Sequence, residues 1–329
     1  MRALAVACLL LLLAAPACGR ERPSAEPAET ETTGEDPLGS FEEEELTGRI
    51  RADGSSTVAP LMSLAAERFR KEEPGVRVTV GTSGTGGGFE RFCRGETELA
   101  NASRPIKPEE EAVCKRNGIA YFALQVANDG ISVVVNPQND WATCLTVDQL
   151  KAIWEPRSKV SSWEDVDPEF PDEKLTLFGA GTDSGTFDYF TDAIVGEEGA
   201  SRSDYTPSED DNVTVRGVSG QKGALGYFGL SYLVENEGRV KGVAVDGGDG
   251  CVEPSVKTVQ DGSYEPLSRP LFTYVNEDAV AEQPALDPFL TFVLDNSAKL
   301  ARDAKFVPMT EAQVEQARTV LESGGVGIE

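Results

Sequence analysis

Three segments of the 329-residue chain place hydroxyls and glycines where a strand would hand over to a helix: Gly54-Ser55-Ser56-Thr57, Thr82-Ser83-Gly84-Thr85-Gly86-Gly87-Gly88 and Gly181-Thr182-Asp183-Ser184-Gly185-Thr186. The start of a helix offers N–H groups without intrahelical partners, together with the positive end of the helix dipole. Glycine lets backbone come close to a ligand, and Ser and Thr supply further donors. Taken singly, each junction is equally a good N-cap, because Ser, Thr and Asp are the residues that cap helices. Three of them in one chain, with the cationic Ala102-Ser103-Arg104-Pro105, point to one convergent anion site. Arg104 suits two oxygens of a tetrahedral oxyanion, since a guanidinium is a planar fork of donors; its other common fate is a surface salt bridge.

Composition removes competing chemistries. The chain has no histidine, so it has no Ser-His-Asp or Cys-His pair, no imidazole base and no His-ligated zinc. With 30 Lys+Arg against 56 Asp+Glu, the net charge of −26 repels polyanions, and no basic stripe tracks a nucleic-acid backbone. Gly84 to Gly88 lacks the Lys-Ser/Thr of a Walker loop. Ser219-Gly220-Gln221-Lys222 matches the S-x-x-K of penicillin-binding enzymes without the companion motifs. Asp165, Asp167, Glu169 and Asp172 lack the glycine and ligand order of an EF-hand loop. No metal, cofactor or nucleic acid is expected.

The elements that must carry the junctions alternate between strand and helix. Ile50 to Asp53 is a short strand; Pro60 then opens a helix with Leu61, Leu64, Ala65 and Phe69 at helical spacing. Val76, Val78 and Val80 alternate as a second strand, and Ile131 to Val135 is a continuous β-branched run, as in a buried strand. Leu175 to Phe178 reads as a strand before a helix bearing Phe187, Phe190, Thr191 and Ile194. Tyr227, Phe228 and Tyr232 read as core. The alternation implies α/β layers with mostly parallel sheets, and the length exceeds one comfortable core, so two lobes are expected.

Residues 1–17 read as an export signal, with Arg2 followed by an apolar stretch through Leu13. Ala15-Pro16-Ala17-Cys18 resembles a bacterial lipobox, whose cysteine is lipidated, while Ala15-x-Ala17 also suits ordinary signal cleavage. Residues 18–47 hold Pro23, Pro27, Pro37 and the run Glu42 to Glu45, a composition expected to be a disordered acidic linker; such a tether favours the lipid anchor. Export also makes disulfides the expected state of Cys93, Cys114, Cys144 and Cys251. Four cysteines allow three pairings. Cys93 with Cys114, close in sequence around one helical region, and Cys144 with Cys251 are the expected ones.

The segments Ala52 to Val58, Gly81 to Phe89, Asn101 to Ile106 and Gly179 to Phe190 resemble those of the PstS family, the periplasmic or lipid-anchored phosphate-binding components of phosphate ABC transporters. The resemblance runs from about Arg49 to the C-terminus and includes Gly223-Ala224-Leu225-Gly226-Tyr227-Phe228-Gly229. It implies an α/β, two-lobed periplasmic-binding-protein-like fold of type II, with the ligand in the cleft between the lobes. Lobe 1 would be 48–130 plus 271–329 and lobe 2 131–270, with hinges near Val126 to Ile131 and Tyr264 to Leu271.

Carried over residue by residue, Ser56 and the Thr57 N–H serve one helix start, Thr85 with Ser83 the second, and Ser184, Gly185 and Thr186 the third, from the opposite lobe. One departure stands out. The best-known branch of the family has an Asp where this chain has Arg104, and an Arg where it has Ala180. The guanidinium has changed lobes, and the usual acceptor of the phosphate proton is missing from its position. Asp183 is the expected replacement, as acceptor or as the group that orients Arg104, with plain N-capping as its other role; Asp129 at the hinge is second.

The implied protein is an exported, lipid-anchored monomer, not an enzyme, that captures inorganic phosphate and delivers it to ABC transporter permease subunits. Another tetrahedral oxyanion such as sulfate, phosphate sensing, and more weakly phosphate-ester hydrolysis are the alternatives.

Overall fold

The computed structural model describes residues 45–182 and 184–324. The export signal, Cys18, the linker up to residue 44 and Asp183 therefore lie outside the described residues.

The first half of the fold follows the periodicity of the sequence. The opening strand, β1 (Gly48–Gly54), turns Ile50 and Ala52 inward. Next comes α1 (Ala59–Glu72), with Pro60 in its first turn, where a missing N–H costs no intrahelical bond; Leu61, Met62, Ala65 and Phe69 are buried on one face. Then follow β2 (Val76–Val80), α2 (Gly84–Phe92), β3 (Leu99–Ala102), α3 (Pro108–Arg116) and the long β4 (Tyr121–Val135). The second half contains β5 (Cys144–Thr146), α4 (Val147–Trp154), β6 (Thr176–Ala180), α5 (Gly185–Phe190), β7 (Thr206–Ser208), α6 (Asp211–Gly220), β8 (Ala224–Gly229), β9 (Lys241–Gly242), β10 (Ala244–Asp246) and β11 (Cys251–Val252). The helix expected around Phe187 to Ile194 is α5 continued by a π turn, Thr191–Val195. The last strand is β12 (Ser268–Asn276), after which helices run to Ser323.

One sheet carries the order β2-β1-β3-β12-β4-β8-β6-β7, with β9 also on β4. The mostly parallel arrangement expected from the alternation holds only towards its ends, where β1 pairs with β2 and β3, and β6 with β7 and β8. At the centre β12 runs antiparallel to β3 and β4, and β4 antiparallel to β8. Apolar periodicity marks a strand without giving its direction.

The centre is also where the halves join. Residues Tyr121 to Gly130 of β4 pair with β12, and Ile131 to Val135 pair with β8. A large apolar cluster lies on each side of this junction, one built on Ile50, Leu61, Phe69 and Phe289, the other on Val133, Trp154, Phe190 and Tyr227. Leu46, expected in the linker, instead packs against the first cluster, so the folded body begins a few residues early. Disulfides Cys93–Cys114 and Cys144–Cys251 are present as expected.

Candidate functional site

Ser55 sets the first junction. Its N–H donates to the Asn101 carbonyl at 2.9 Å, and its Oγ accepts from the Thr57 and Val58 amides at 3.2 and 3.4 Å. Ser55 Oγ thus braces the turn that leads into α1, whose N-cap, Val58, has no side-chain cap. At the second junction Asp53 does the bracing. Its Oδ1 accepts from the Gly54 and Ser83 amides at 2.7 and 3.0 Å, and its other oxygen meets Arg91. Burial pushes this carboxyl up, but the Ser83 and Gly54 hydrogen bonds and the Arg91 charge outweigh it and hold it below the usual range.

No side chain caps the start of α2. Its glycines have a packing reason too: a Cβ on Gly88 would lie 2.4 Å from the Gly54 Cα, so only glycine lets α2 settle on the end of β1. Thr85 is tied to the loop after β3, its Oγ1 lying 3.1 Å from Ser103 Oγ and accepting from the Ser103 amide at 3.3 Å.

These ends open on one cavity of about 490 Å³. Ser56, Thr57, Ser83, Thr85 and Arg104 line it from the first half and Gly185 from the second. Ser184 and Thr186 are not on its wall; Ser184 Oγ caps α5 by accepting the Thr186 amide at 3.1 Å. The halves are in contact across the cavity, since a Cβ on Gly185 would lie 2.3 Å from Thr57 Oγ1.

Arg104 reaches the wall with its fork already engaged. Its two terminal nitrogens each donate to a Glu110 oxygen at 2.8 Å, and the guanidinium sits 5.7 Å from the Phe89 ring centroid. The group that orients it is Glu110 of α3. Burial raises the Glu110 carboxyl, and hydrogen bonds from Arg104 and the Lys107 amide more than reverse that.

The sequence reading missed Arg269, the most deeply buried cation on the wall. Its Nε and Nη2 donate to Asp129 Oδ2 at 3.3 and 3.2 Å, Nη2 also to Thr57 Oγ1 at 3.1 Å, and Nη1 to the Ser103 carbonyl at 3.3 Å. The Tyr189 ring lies under the guanidinium, 3.6 Å from centroid to central carbon. Burial raises the Asp129 carboxyl, with Arg269 opposing it. Asp129 is not on the cavity wall, and the oxygen it offers is taken by Arg269. A signal for Arg269 existed: Ser-Arg-Pro occurs at 103–105 and again at 268–270.

Asp188, Asp192 and Glu198 complete the wall from the second half. The Asp188 carboxyl is raised by burial and by Glu198, against the pull of Arg269. Among the described residues no group of three His, Cys, Asp or Glu side chains could hold a metal. The arrangement therefore offers uncapped helix amides, hydroxyls and a fixed guanidinium to a small anion, with one half-buried carboxyl facing them.

A family profile described as a PBP superfamily domain matches residues 27–297. Protein SphX of Synechocystis is 45% identical over 280 residues, covering 84% of this chain and 83% of that one. The phosphate-binding protein PstS of Staphylococcus saprophyticus is 38% identical over 276 residues, covering 84% and 85%. The crystal structure of "a possible phosphate binding protein from Planctomyces limnophilus" superposes with a TM-score of 0.81 at 44% identity, covering 85% of this chain and 99% of that one.

Proposed function

Since the chain belongs to the PBP superfamily, alongside the PstS and SphX proteins, we propose that it captures inorganic phosphate outside the cytoplasm and delivers it to a phosphate ABC transporter. The observation that carries this reading is Arg269, part-buried, held by Asp129 and lining, with Thr57, a cavity onto which the uncapped start of α2 opens. Phosphate touching both halves favours the closed state, which is the form a transporter can recognise. The lobes divide at 48–130 plus 271–329 and 131–270, with β4 and β12 crossing between them.

Within this reading Arg269 takes the principal anion contact, and Ser56, Thr57, Ser83, Thr85 and Gly185 supply neutral donors from their places on the wall. Arg104 stands at the rim beside Glu110. Asp188 is the acceptor for the phosphate proton, because it is the half-buried one of the three carboxylate residues on the wall and Asp129 is committed to Arg269. A carboxylate lone pair facing the ligand welcomes an O–H and repels the bare oxygens of sulfate. Asp183, beside Ser184, remains a second acceptor to test by Asp183→Asn. The protein binds its ligand without chemistry, and turnover of a chromogenic phosphate ester would overturn that. Cys18 carries the lipid anchor, which the mass of the mature N-terminal peptide checks.

The deciding experiment is calorimetric titration of the phosphate-stripped protein with phosphate and with sulfate at pH 6, 7 and 8. Tight phosphate binding without sulfate heat is expected. Sulfate binding, or no heat with either anion, would remove phosphate as the ligand.

A further inference from the structure

Tyr189 does two things at once. Its hydroxyl donates to the Pro266 carbonyl at 2.7 Å, and its ring lies 3.6 Å beneath the central carbon of the Arg269 guanidinium. Burial pushes the hydroxyl well above its ordinary range, so it stays a neutral donor. The ring is therefore pinned at its far end to the segment that leads into β12, and cannot turn away from the guanidinium without breaking that bond. Tyr189 also lies one turn beyond Gly185 on α5, on the same face of the helix. Gly185 abuts Thr57, and Thr57 Oγ1 accepts from Arg269 Nη2, so Thr57, Arg269, Tyr189 and Gly185 close a ring of contacts around one corner of the cavity.

Asp129, Thr57 and the Ser103 carbonyl hold the edges of Arg269, and these in-plane contacts leave the guanidinium free to tilt out of its plane. The aromatic face removes this freedom, and a cation held over a ring away from water gains from the ring quadrupole. We propose that Tyr189 is the positioning residue for anion capture: it fixes the plane of Arg269 so that the edge carrying Nη1 and Nη2 points at Ser103, Thr57 and the ligand. The inference rests on the reading of the cleft as a phosphate site.

The test is a double-mutant cycle on phosphate affinity with Tyr189→Leu and Arg269→Lys, with Tyr189→Phe as the conservative variant. Tyr189→Leu is expected to weaken phosphate about tenfold, Tyr189→Phe no more than about threefold, and Tyr189→Leu to add almost nothing once Arg269 is already Lys. A purely structural Tyr189 would give additive losses in the cycle, which overturns the proposal, as does Tyr189→Leu binding within twofold of the parent chain. If Tyr189→Leu does not fold, Tyr189→Phe decides alone, and a tenfold or greater loss there overturns the role of the ring.

A ligand-free readout separates this proposal from the phosphate reading. The Arg269 side-chain protons carry an upfield ring-current shift in the parent chain, retained in Tyr189→Phe and lost in Tyr189→Leu. If the parent chain binds no phosphate, the phosphate reading falls while the shift still judges the stack. An Arg269 spectrum unchanged by Tyr189→Leu overturns the stack itself.

Discussion

Asp129 and Arg269 are register partners on antiparallel β4 and β12, and their carboxylate and guanidinium meet at 3.2 Å where the two halves of the sheet join. Both side chains are nearly buried. Neither charge would be tolerated there alone, since removing one member of a buried pair costs about 3–5 kcal/mol. Together they are neutral as a pair, and the guanidinium keeps its outer nitrogens for Thr57 and the Ser103 carbonyl. The charge pair thus sits where the two halves of the sheet join, between strands that belong to both.

Arg269 and Arg104 are expected to rank far apart. Arg269→Gln should lower phosphate affinity by about a hundredfold or more, because truncating one member of a buried, hydrogen-bonded pair costs about 2–5 kcal/mol. Arg104→Gln should change it by less than about fivefold, as Arg104 is the more exposed of the two and its charge is already paired with Glu110. Calorimetry of the two variants reads both effects, and the opposite ranking would return the principal contact to Arg104.

Gly185→Ala should weaken phosphate at least about tenfold, the cost of forcing one methyl into a packed contact. Its Cβ would sit 2.3 Å from Thr57 Oγ1, so the added methyl works against the closed cleft and spares the core of either half. Thermal unfolding without ligand should accordingly stay close to that of the parent chain, while the ligand-induced rise in Tm shrinks. Equal affinities would mean that the contact relaxes without cost.

The pH dependence of stability should carry a signature from Asp211. At the start of α6, burial and then the charges of Asp210 and Glu209 push its carboxyl up to about 7. Between the ordinary carboxyl range and about 7 the folded state binds this proton more tightly than the unfolded chain. Its stabilising contribution is therefore complete at acid pH and is lost as pH rises through that window. Asp211→Asn should leave stability nearly unchanged near pH 3.5 and raise it at pH 8, by up to about 4 kcal/mol. Denaturant unfolding at both pH values checks this; a variant less stable than the parent at pH 8 would contradict it.

The two disulfides should contribute unequally. Cys93–Cys114 closes a loop with a sequence separation of 21 and Cys144–Cys251 one of 107. Chain-entropy arguments assign about 3 kcal/mol to the shorter loop and about 4.7 kcal/mol to the longer. Replacing Cys144 and Cys251 with Ser should therefore lower the unfolding midpoint more than replacing Cys93 and Cys114, as measured by denaturant titration.

Much of this molecule is legible from residue type and spacing. The Val76-x-Val78-x-Val80 alternation is β2, and Pro60 with Leu61, Ala65 and Phe69 is α1. Residues of all three junctions line one cavity, the third through Gly185 alone. What escaped depends on partners distant in sequence. Glu110 comes to lie across the Arg104 fork only once α3 has folded, and Arg269 looks like an ordinary charge beside a proline until β12 pairs with β4. Ser55 braces the turn before α1 because the Asn101 carbonyl fixes its amide, a contact across two strands that no local pattern announces. Strand direction at the sheet centre escaped for the same reason.

The fifteen-residue β4 passes from one half to the other while remaining hydrogen-bonded, first to β12 and then to β8. If the halves pivot here, the motion is flexure of paired strands, bulged once between Leu271 and Phe272, and not melting of a loop. Its amides should therefore exchange with solvent deuterium as slowly as those of the core, with and without ligand. On the proposed reading, opening costs bending energy instead of broken bonds, and the free energy of phosphate capture stays largely intact for affinity.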